Sequence, residues 1–194
     1  MNLNWIGRKP VCIALCSPVM RSGKSTVAAH LQQQHGFVLV KFAVGLKSMT
    51  RALLDSLGYK EHEIDRFVEG ADREYILPEI GVSTRRIMQT IGTEWGRNCI
   101  DENLWALIAQ NRIKRLMVHG CSVVVDDMRF INEMDHIHAI GGVAYRIIRP
   151  DAPVSAAQAH ASEGELDGVH MPEIWNTADV PYLIDKVEAL LHSL

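Results

Sequence analysis

Ser22-Gly23-Lys24-Ser25-Thr26 stands between an apolar run and a helical pattern, a placement that suggests chemistry on phosphate. A turn that opens a helix directs backbone N–H groups and positive potential at anionic oxygens. Gly23 lets the backbone approach closely. Lys24 is placed to reach the β and γ phosphates of a nucleotide, and the Ser25 hydroxyl to ligate Mg2+. Ser22 and Thr26 complete the loop. The strict pattern asks for Gly five residues before Gly23, where this chain has Pro18. Proline fixes φ and has no N–H, so the loop starts in a different conformation or lacks one donor. Arg21 adds a cation, with a plain solvated charge as its alternative role.

A second constellation is Ser122-Val123-Val124-Val125 running into Asp126 and Asp127. An acid at the carboxyl end of a parallel strand faces the crevice where open α/β sheets bind ligands. It can hold Mg2+ through water or accept a proton from an attacking group. Continued strand geometry would put the two acids on opposite faces, so one of them is expected in the site. Arg129, Asn132 and Glu133 follow, with a salt-bridged helix start as the plain alternative. Between these motifs lies Arg85-Arg86-Ile87-Met88-Gln89-Thr90-Ile91-Gly92-Thr93-Glu94-Trp95-Gly96-Arg97, followed by Asp101 and Trp105. Arginine and glutamine suit a phosphate and a base edge, and tryptophan can stack on a base. For Trp95 and Trp105 the alternative is helix-face core.

The elements that must position these groups alternate between strand and helix. Strands are expected at Val11–Cys16, 37–42, 122–125 and 143–148, with a last short one at 173–175. Helices are expected at about 24–35, 46–57, 61–68 and 131–140. Ser83 can cap a helix with Ile87, Met88, Ile91 and Trp95 on one face, and Asp101 can cap the next, which carries Leu104, Trp105, Leu107, Ile108 and Ile113. Gly58–Val82 is otherwise polar, with Pro78 and Gly81 as breakers. Leu183, Val187, Leu190, Leu191 and Leu194 form a closing helical stripe. Residues 150–172 read as a long loop or flap. The alternation argues for an α/β fold around a parallel sheet.

Composition limits the alternatives. The chain has 194 residues, 47% hydrophobic and 22% charged, enough apolar content for a sizeable core and too much for disorder. Residues 1–149 carry 19 basic and 15 acidic side chains, and residues 150–194 carry one basic and eight acidic. That positive excess is too mild and dispersed for a polynucleotide binder and suits a small anion held by chosen cations. No stretch approaches a membrane span, and no leader-like run opens the chain. Cys12, Cys16, Cys99 and Cys121 form no CxxC pair and read as free thiols, so a reducing cytoplasm is expected. The nine histidines show no ligand spacing beyond His136-x-His138; at i, i+2 these two do not share a helix face, and no zinc site is expected.

The chain resembles the phage deoxynucleoside monophosphate kinases, within the wider P-loop nucleoside monophosphate kinase group. The resemblance rests on SGKST (22–26), Phe42-Ala43-Val44-Gly45-Leu46-Lys47, QTIGTEWGR (89–97) with Asp101 and Trp105, and Asp127-Met128-Arg129-Phe130 with Asn132-Glu133. It implies one P-loop kinase domain over residues 1–194, a parallel sheet flanked by helices, with an acceptor-binding helical insert near 43–105 and a lid near 150–168. The implied reaction moves the γ-phosphoryl group of ATP to a dNMP, with Mg2+, giving a dNDP for phage DNA precursor synthesis. Such transfer needs cations, in-line positioning and water exclusion more than covalent help. By resemblance, Lys24, Asp127, Arg129 and Arg21 serve catalysis. Ser22, Gly23, Lys24, Ser25, Thr26 and Arg149 hold ATP, and Ser25, Asp127 and Asp126 hold the metal. Phe42, Lys47, Arg51, Arg85, Gln89, Thr93, Trp95, Arg97 and Asp101 hold the acceptor. Arg146, Arg149 and His160–Glu163 are assigned to the lid. Neither nucleic acid nor membrane is an expected partner, and a homodimer is the default for such kinases. Two other readings remain: a dephospho-CoA-kinase-like enzyme, and a non-catalytic ATP-binding module that Pro18 would favour.

Overall fold

A strand with no polar face needs cover on both sides, and Cys12–Cys16 (β1) has it, with all five residues buried. The computed structural model describes residues 9–19, 21–150 and 165–193. The described chain divides into two units, Met1–Phe42 with Ala109–Leu194 and Ala43–Ile108.

In the first unit β1 is the middle of a five-stranded sheet, ordered β2-β5-β1-β6-β7. Its partners are β2 (Val38–Val40), β5 (Val123–Val125), β6 (Val143–Ile148) and β7 (Glu173–Trp175). Every pairing is parallel, with Ile13 opposite Val124 on one side and Val143 on the other. The chain runs from β1 out to β2, returns through β5 and then crosses to β6. Such a reversal leaves a crevice beyond the carboxyl ends of the strands. α1 (Lys24–His35) and α7 (Val180–Ser193) cover one face, where Ile13, Leu15, Val27, Leu31, Val124, Ile147, Leu183, Val187 and Leu191 form the core. Each such side chain contributes about 1.5–3 kcal/mol on full burial. Alternate β1 residues point to the other face, where α6 (Ile131–His138) packs on β1 and β6.

The Ala43–Ile108 unit contains α2 (Val44–Ser56), α3 (Glu61–Val68), a 3-10 turn at Asp72–Glu74, and strands β3 (Ile76–Leu77) and β4 (Val82–Ser83). α4 (Thr84–Gln89), a π-helix at Thr90–Ile100 and the first turn of α5 (Leu104–Val118) complete it. Its own core is Leu54, Ile64, Phe67, Val68, Leu77 and Ile87. Ser83 caps α4 as its sequence position suggests, accepting from the Arg86 N–H at 3.3 Å.

Two expectations need correction. Gly58–Val82 is not merely polar connection: Ile76–Leu77 and Val82–Ser83 pair antiparallel, and Pro78 and Gly81 form their turn, with Gly81 at φ 70. The helix after Ser83 does not keep one winding through Trp95. It leaves the α-helical period after Gln89, so Trp95 drops off the apolar face and is 40% exposed. Among the described residues Trp105 is the buried tryptophan, at 5%. Its indole Nε1 donates to the Gly92 carbonyl at 2.8 Å. A Cβ on Gly96 would stand 2.6 Å from the Trp105 ring, so glycine is required there for close approach. A wide π-turn with exposed polar groups is a common mark of functional segments.

Candidate functional site

α1 begins at Lys24, directly behind a left-handed turn. Gly23 has φ 112, a conformation that suits glycine, and a Cβ there would meet Leu183 Cδ2 at 2.6 Å and Asn176 Nδ2 at 3.2 Å. Gly23 stands at the N-cap of α1 and brings no side chain to it, so the positive end of the helix faces the loop. Ser22 is buried, and its Oγ has no hydrogen-bond partner. The loop is held from behind: Asn176 Nδ2 donates to the Ser22 carbonyl at 2.8 Å, and Arg149 Nη1 to the Arg21 carbonyl at 2.9 Å. Arg21 itself has φ 57, an uncommon value for a non-glycine residue. Upstream, where Pro18 replaces glycine, the Val19 N–H donates to Ser17 Oγ at 3.2 Å, closing a short hydroxyl turn. Ser25 and Thr26 are exposed on the first turn of α1.

β5 stops at Val125, so the alternation expected to send Asp126 and Asp127 to opposite faces does not reach them. Both line the same cavity, a correction to the expectation that only one would. Asp126 is 6% exposed and accepts from Lys41 Nζ at 2.7 Å. Asp127 Oδ1 accepts from the Phe42 N–H at 2.9 Å. The segment that leaves β2 therefore fixes both acids. Downstream, buried Glu133 accepts from the backbone N–H groups of Arg129 and Phe130, at 2.8 and 3.2 Å, and so shapes the entry to α6.

The cavity, about 280 Å³, lies beyond the carboxyl ends of β1, β2 and β5. It brings together Arg21, Lys24, Ser25, Asp126, Asp127 and Arg129. Ser22, Gly23 and Thr26 belong to the same loop, and Phe42 lies in the same unit with its ring buried. Lys41, Arg146 and Asp167 line the cavity as well. Lys41 carries no motif signal; its position one residue past β2 is the only clue. Arg146 is not a lid residue. It sits inside β6, donates to the Leu166 and Val169 carbonyls at 2.6 and 2.9 Å and lies 3.6 Å from Glu173. Burial pushes the Cys16 thiol at the cavity wall up, against the lowering charges of Arg146 and Lys24. Most of the lid segment, including His160–Glu163, lies outside the described residues.

The other acceptor candidates belong to the Ala43–Ile108 unit, where carboxylates already engage several of them. Lys47 pairs with Glu69; Arg51 pairs with Glu61 and, at 2.7 Å, with Asp65. The Asp65 hydrogen bond raises the Arg51 guanidinium further above its ordinary value. Arg85 lies 3.2 Å from Glu74, and Arg86 3.2 Å from Glu94. Gln89, Thr93 and Trp95 are exposed and Arg97 is half-buried on the α4–π-helix segment. Asp101 accepts from the Asn103 N–H at 2.6 Å and opens α5.

A Gly-Lys-Ser turn that opens α1 after β1, with acids past the end of β5 in a parallel sheet, defines the class: the P-loop kinase fold. A crystal structure of a sugar kinase from Janibacter sp. HTCC2649 has the same fold, with a TM-score of 0.50 at 12% identity over 94% of this chain and 95% of that one. The model of the deoxynucleotide monophosphate kinase family matches residues 60–170, and the chain belongs to that family. A protein of Acanthamoeba polyphaga mimivirus described as "Putative deoxynucleotide monophosphate kinase" is 29% identical over 166 residues, 79% of this chain and 81% of that protein.

Proposed function

We propose that this deoxynucleotide monophosphate kinase uses ATP as donor with Mg2+ bound at the β1–β5 cavity, and binds its acceptor through residues of the Ala43–Ile108 unit. The observation that carries the reading is the shared cavity of Lys24, Ser25, Asp126 and Asp127. The donor set fits the groups. The N-terminus of α1 and the unpartnered buried Ser22 Oγ suit phosphate oxygens, and one hydroxyl with two carboxylates suits a hard cation. Bound Mg2+ would neutralise charge on the β and γ oxygens. Lys24 would stabilise the charge that develops on the transferred group, helped by Arg21 and Arg129. Lys41 and the Phe42 N–H hold the two acids in place, so little reorganisation is needed when the nucleotide arrives.

Lys47, Arg51 and Arg85 would meet the acceptor phosphate. Their carboxylate partners are exposed, such pairs are worth little, and a dianionic phosphate can displace them. Gln89 and Thr93 would reach the base edge, with Trp95 available for stacking and Arg97 and Asp101 completing that surface. We extend this reading to a supply of dNDP for phage DNA synthesis, and the similar mimivirus protein supports the kinase part of it. Among the described residues no helix is long and apolar enough to cross a membrane. The cytoplasm and a homodimeric state complete the proposal, and sedimentation of the purified chain tests the latter.

The test is coupled ADP release over a panel of dNMPs and other acceptors, with and without Mg2+. ADP release stimulated by one or more dNMPs, and dependent on Mg2+, is expected. ATP binding with no turnover on any acceptor would favour a non-catalytic module instead.

A further inference from the structure

We infer that His30, His35 and Glu188 form a second divalent-metal site, suited to Zn2+ and tying α1 to α7. His30 Nε2 and His35 Nε2 lie 2.5 and 2.6 Å from the same Glu188 Oε1. One ligand atom of each residue falls within 4.8 Å of the other two. The imidazoles stand edge to face with centroids 5.6 Å apart, so both present the same nitrogen to one point. The His35 side chain is 6% exposed, that of His30 20% and that of Glu188 32%. The site is thus walled on one side and open on the other.

The donor set selects the metal. Two imidazole nitrogens and one carboxylate oxygen suit Zn2+ and its neighbours, whereas Mg2+ prefers oxygen alone. Ligand bonds of about 2.0–2.1 Å put tetrahedral ligand atoms roughly 3.3 Å apart, so the two present contacts need to open by less than about 1 Å. Glu188, the most exposed and most flexible member, can supply that movement. Each neutral ring then keeps its proton on Nδ1 and coordinates through Nε2; a doubly protonated ring releases one proton to solvent. The fourth position is left to water. His30 also borders an open hollow lined by Ser25, Thr26, Ala29, Gln33, Val180 and Ile184, which offers an entry path. The third ligand comes from 153 residues beyond His35, which is why histidine spacing alone does not reveal the cluster.

The position gives such a metal a consequence. α1 carries the phosphate loop at its start, and Leu183 of α7 sits where a Cβ at Gly23 would fall. A metal joining α1 and α7 would stiffen the support behind that loop.

The test uses the whole chain, stripped with a chelator and titrated with Zn2+ against a chromophoric competitor. One tight equivalent is expected in the natural chain. Affinity should fall roughly 10–100-fold or more in Glu188→Gln and in His30→Gln and stay unchanged in His136→Gln. His30 and Glu188 are the more exposed ligands, so their variants should fold, whereas a His35 variant would disturb the packing around it. Zn2+ should raise Tm of the natural chain and not of Glu188→Gln. Co2+ should give ligand-field bands without a thiolate charge-transfer band, and Glu188→Gln should abolish them. Unchanged Zn2+ affinity in both variants, a thiolate-to-cobalt band, or no tight equivalent in the natural chain would overturn the assignment.

Discussion

Asp126 meets Lys41 at 6% exposure, past the end of a fully buried strand, whereas Arg51 meets Glu61 and Asp65 on an exposed helix face. The same kind of ion pair does different work in the two units. At the sheet, side chains follow parallel strands that are buried on both faces and held by packed neighbours. Groups there are preorganised, as phosphoryl transfer requires. In the Ala43–Ile108 unit, Lys47, Arg51, Arg66, Arg85 and Arg86 each meet a carboxylate of the same unit in solvent. Those pairs exchange readily, which suits the acceptor surface proposed for this unit.

The largest test of this contrast is Lys24→Ala. Turnover should fall roughly 100- to 1000-fold, the scale of one removed donor to transition-state charge. Circular dichroism and Tm should stay near those of the natural chain, and near-normal turnover would remove the phosphate loop from the reaction.

A paired stability measurement comes next. Lys41→Ala leaves a buried carboxylate without its cation and should cost about 1–3 kcal/mol in urea unfolding. Arg51→Ala should cost under about 1 kcal/mol, because its partners stay hydrated. Equal costs would break the comparison between the units.

Arg85→Ala should act on the acceptor. Loss of one exposed charge contact predicts a KM for the dNMP raised by about tenfold with KM for ATP little changed. An unchanged acceptor dependence would take Arg85 out of the pocket.

The smallest effect is in thiol chemistry. Burial pushes the Cys12 thiol up to about 12, so it stays protonated from pH 7 to pH 9 and gains no reactivity across that range. Cys99 is exposed in the other unit and should take a maleimide label first in the native protein. Mass spectrometry should find Cys12 modified only after unfolding; early labelling of Cys12 would mean the sheet opens far more readily than its packing indicates.

Much of the fold was readable because its signals are local. An apolar run before a helix start places β1 and α1, and the α3, β6 and β7 boundaries follow from short periodic stretches with clear ends. The π-helix was not readable, since Ile87, Met88, Ile91 and Trp95 match an ordinary α-helical face. Trp105, whose N–H donates to the Gly92 carbonyl, packs against the wider turn from 13 positions away. The β3–β4 hairpin escaped because two-residue strands carry too little alternation to register.

At the cavity, the loop and the paired acids announce themselves by residue type and spacing, and the structure gathers Arg21, Lys24, Ser25, Asp126, Asp127 and Arg129 there. Their supports do not announce themselves. Lys41 reaches Asp126 across 85 positions and Asn176 reaches the Ser22 carbonyl across 154, and no local pattern encodes such partners. Arg146 looked like a lid cation because it precedes a polar stretch, yet β6 carries it beside the cavity.

The sequence by itself determined that strands alternate with helices, that a Gly-Lys-Ser turn opens a helix after the first strand and that acids end a buried one, because hydrophobic period and turn chemistry act over a few residues. Only the tertiary structure decided which of those acids share the cavity, what holds them, which tryptophan is core, and that two histidines of α1 converge on Glu188. Those outcomes depend on distant segments meeting in space, and a linear pattern has no term for that.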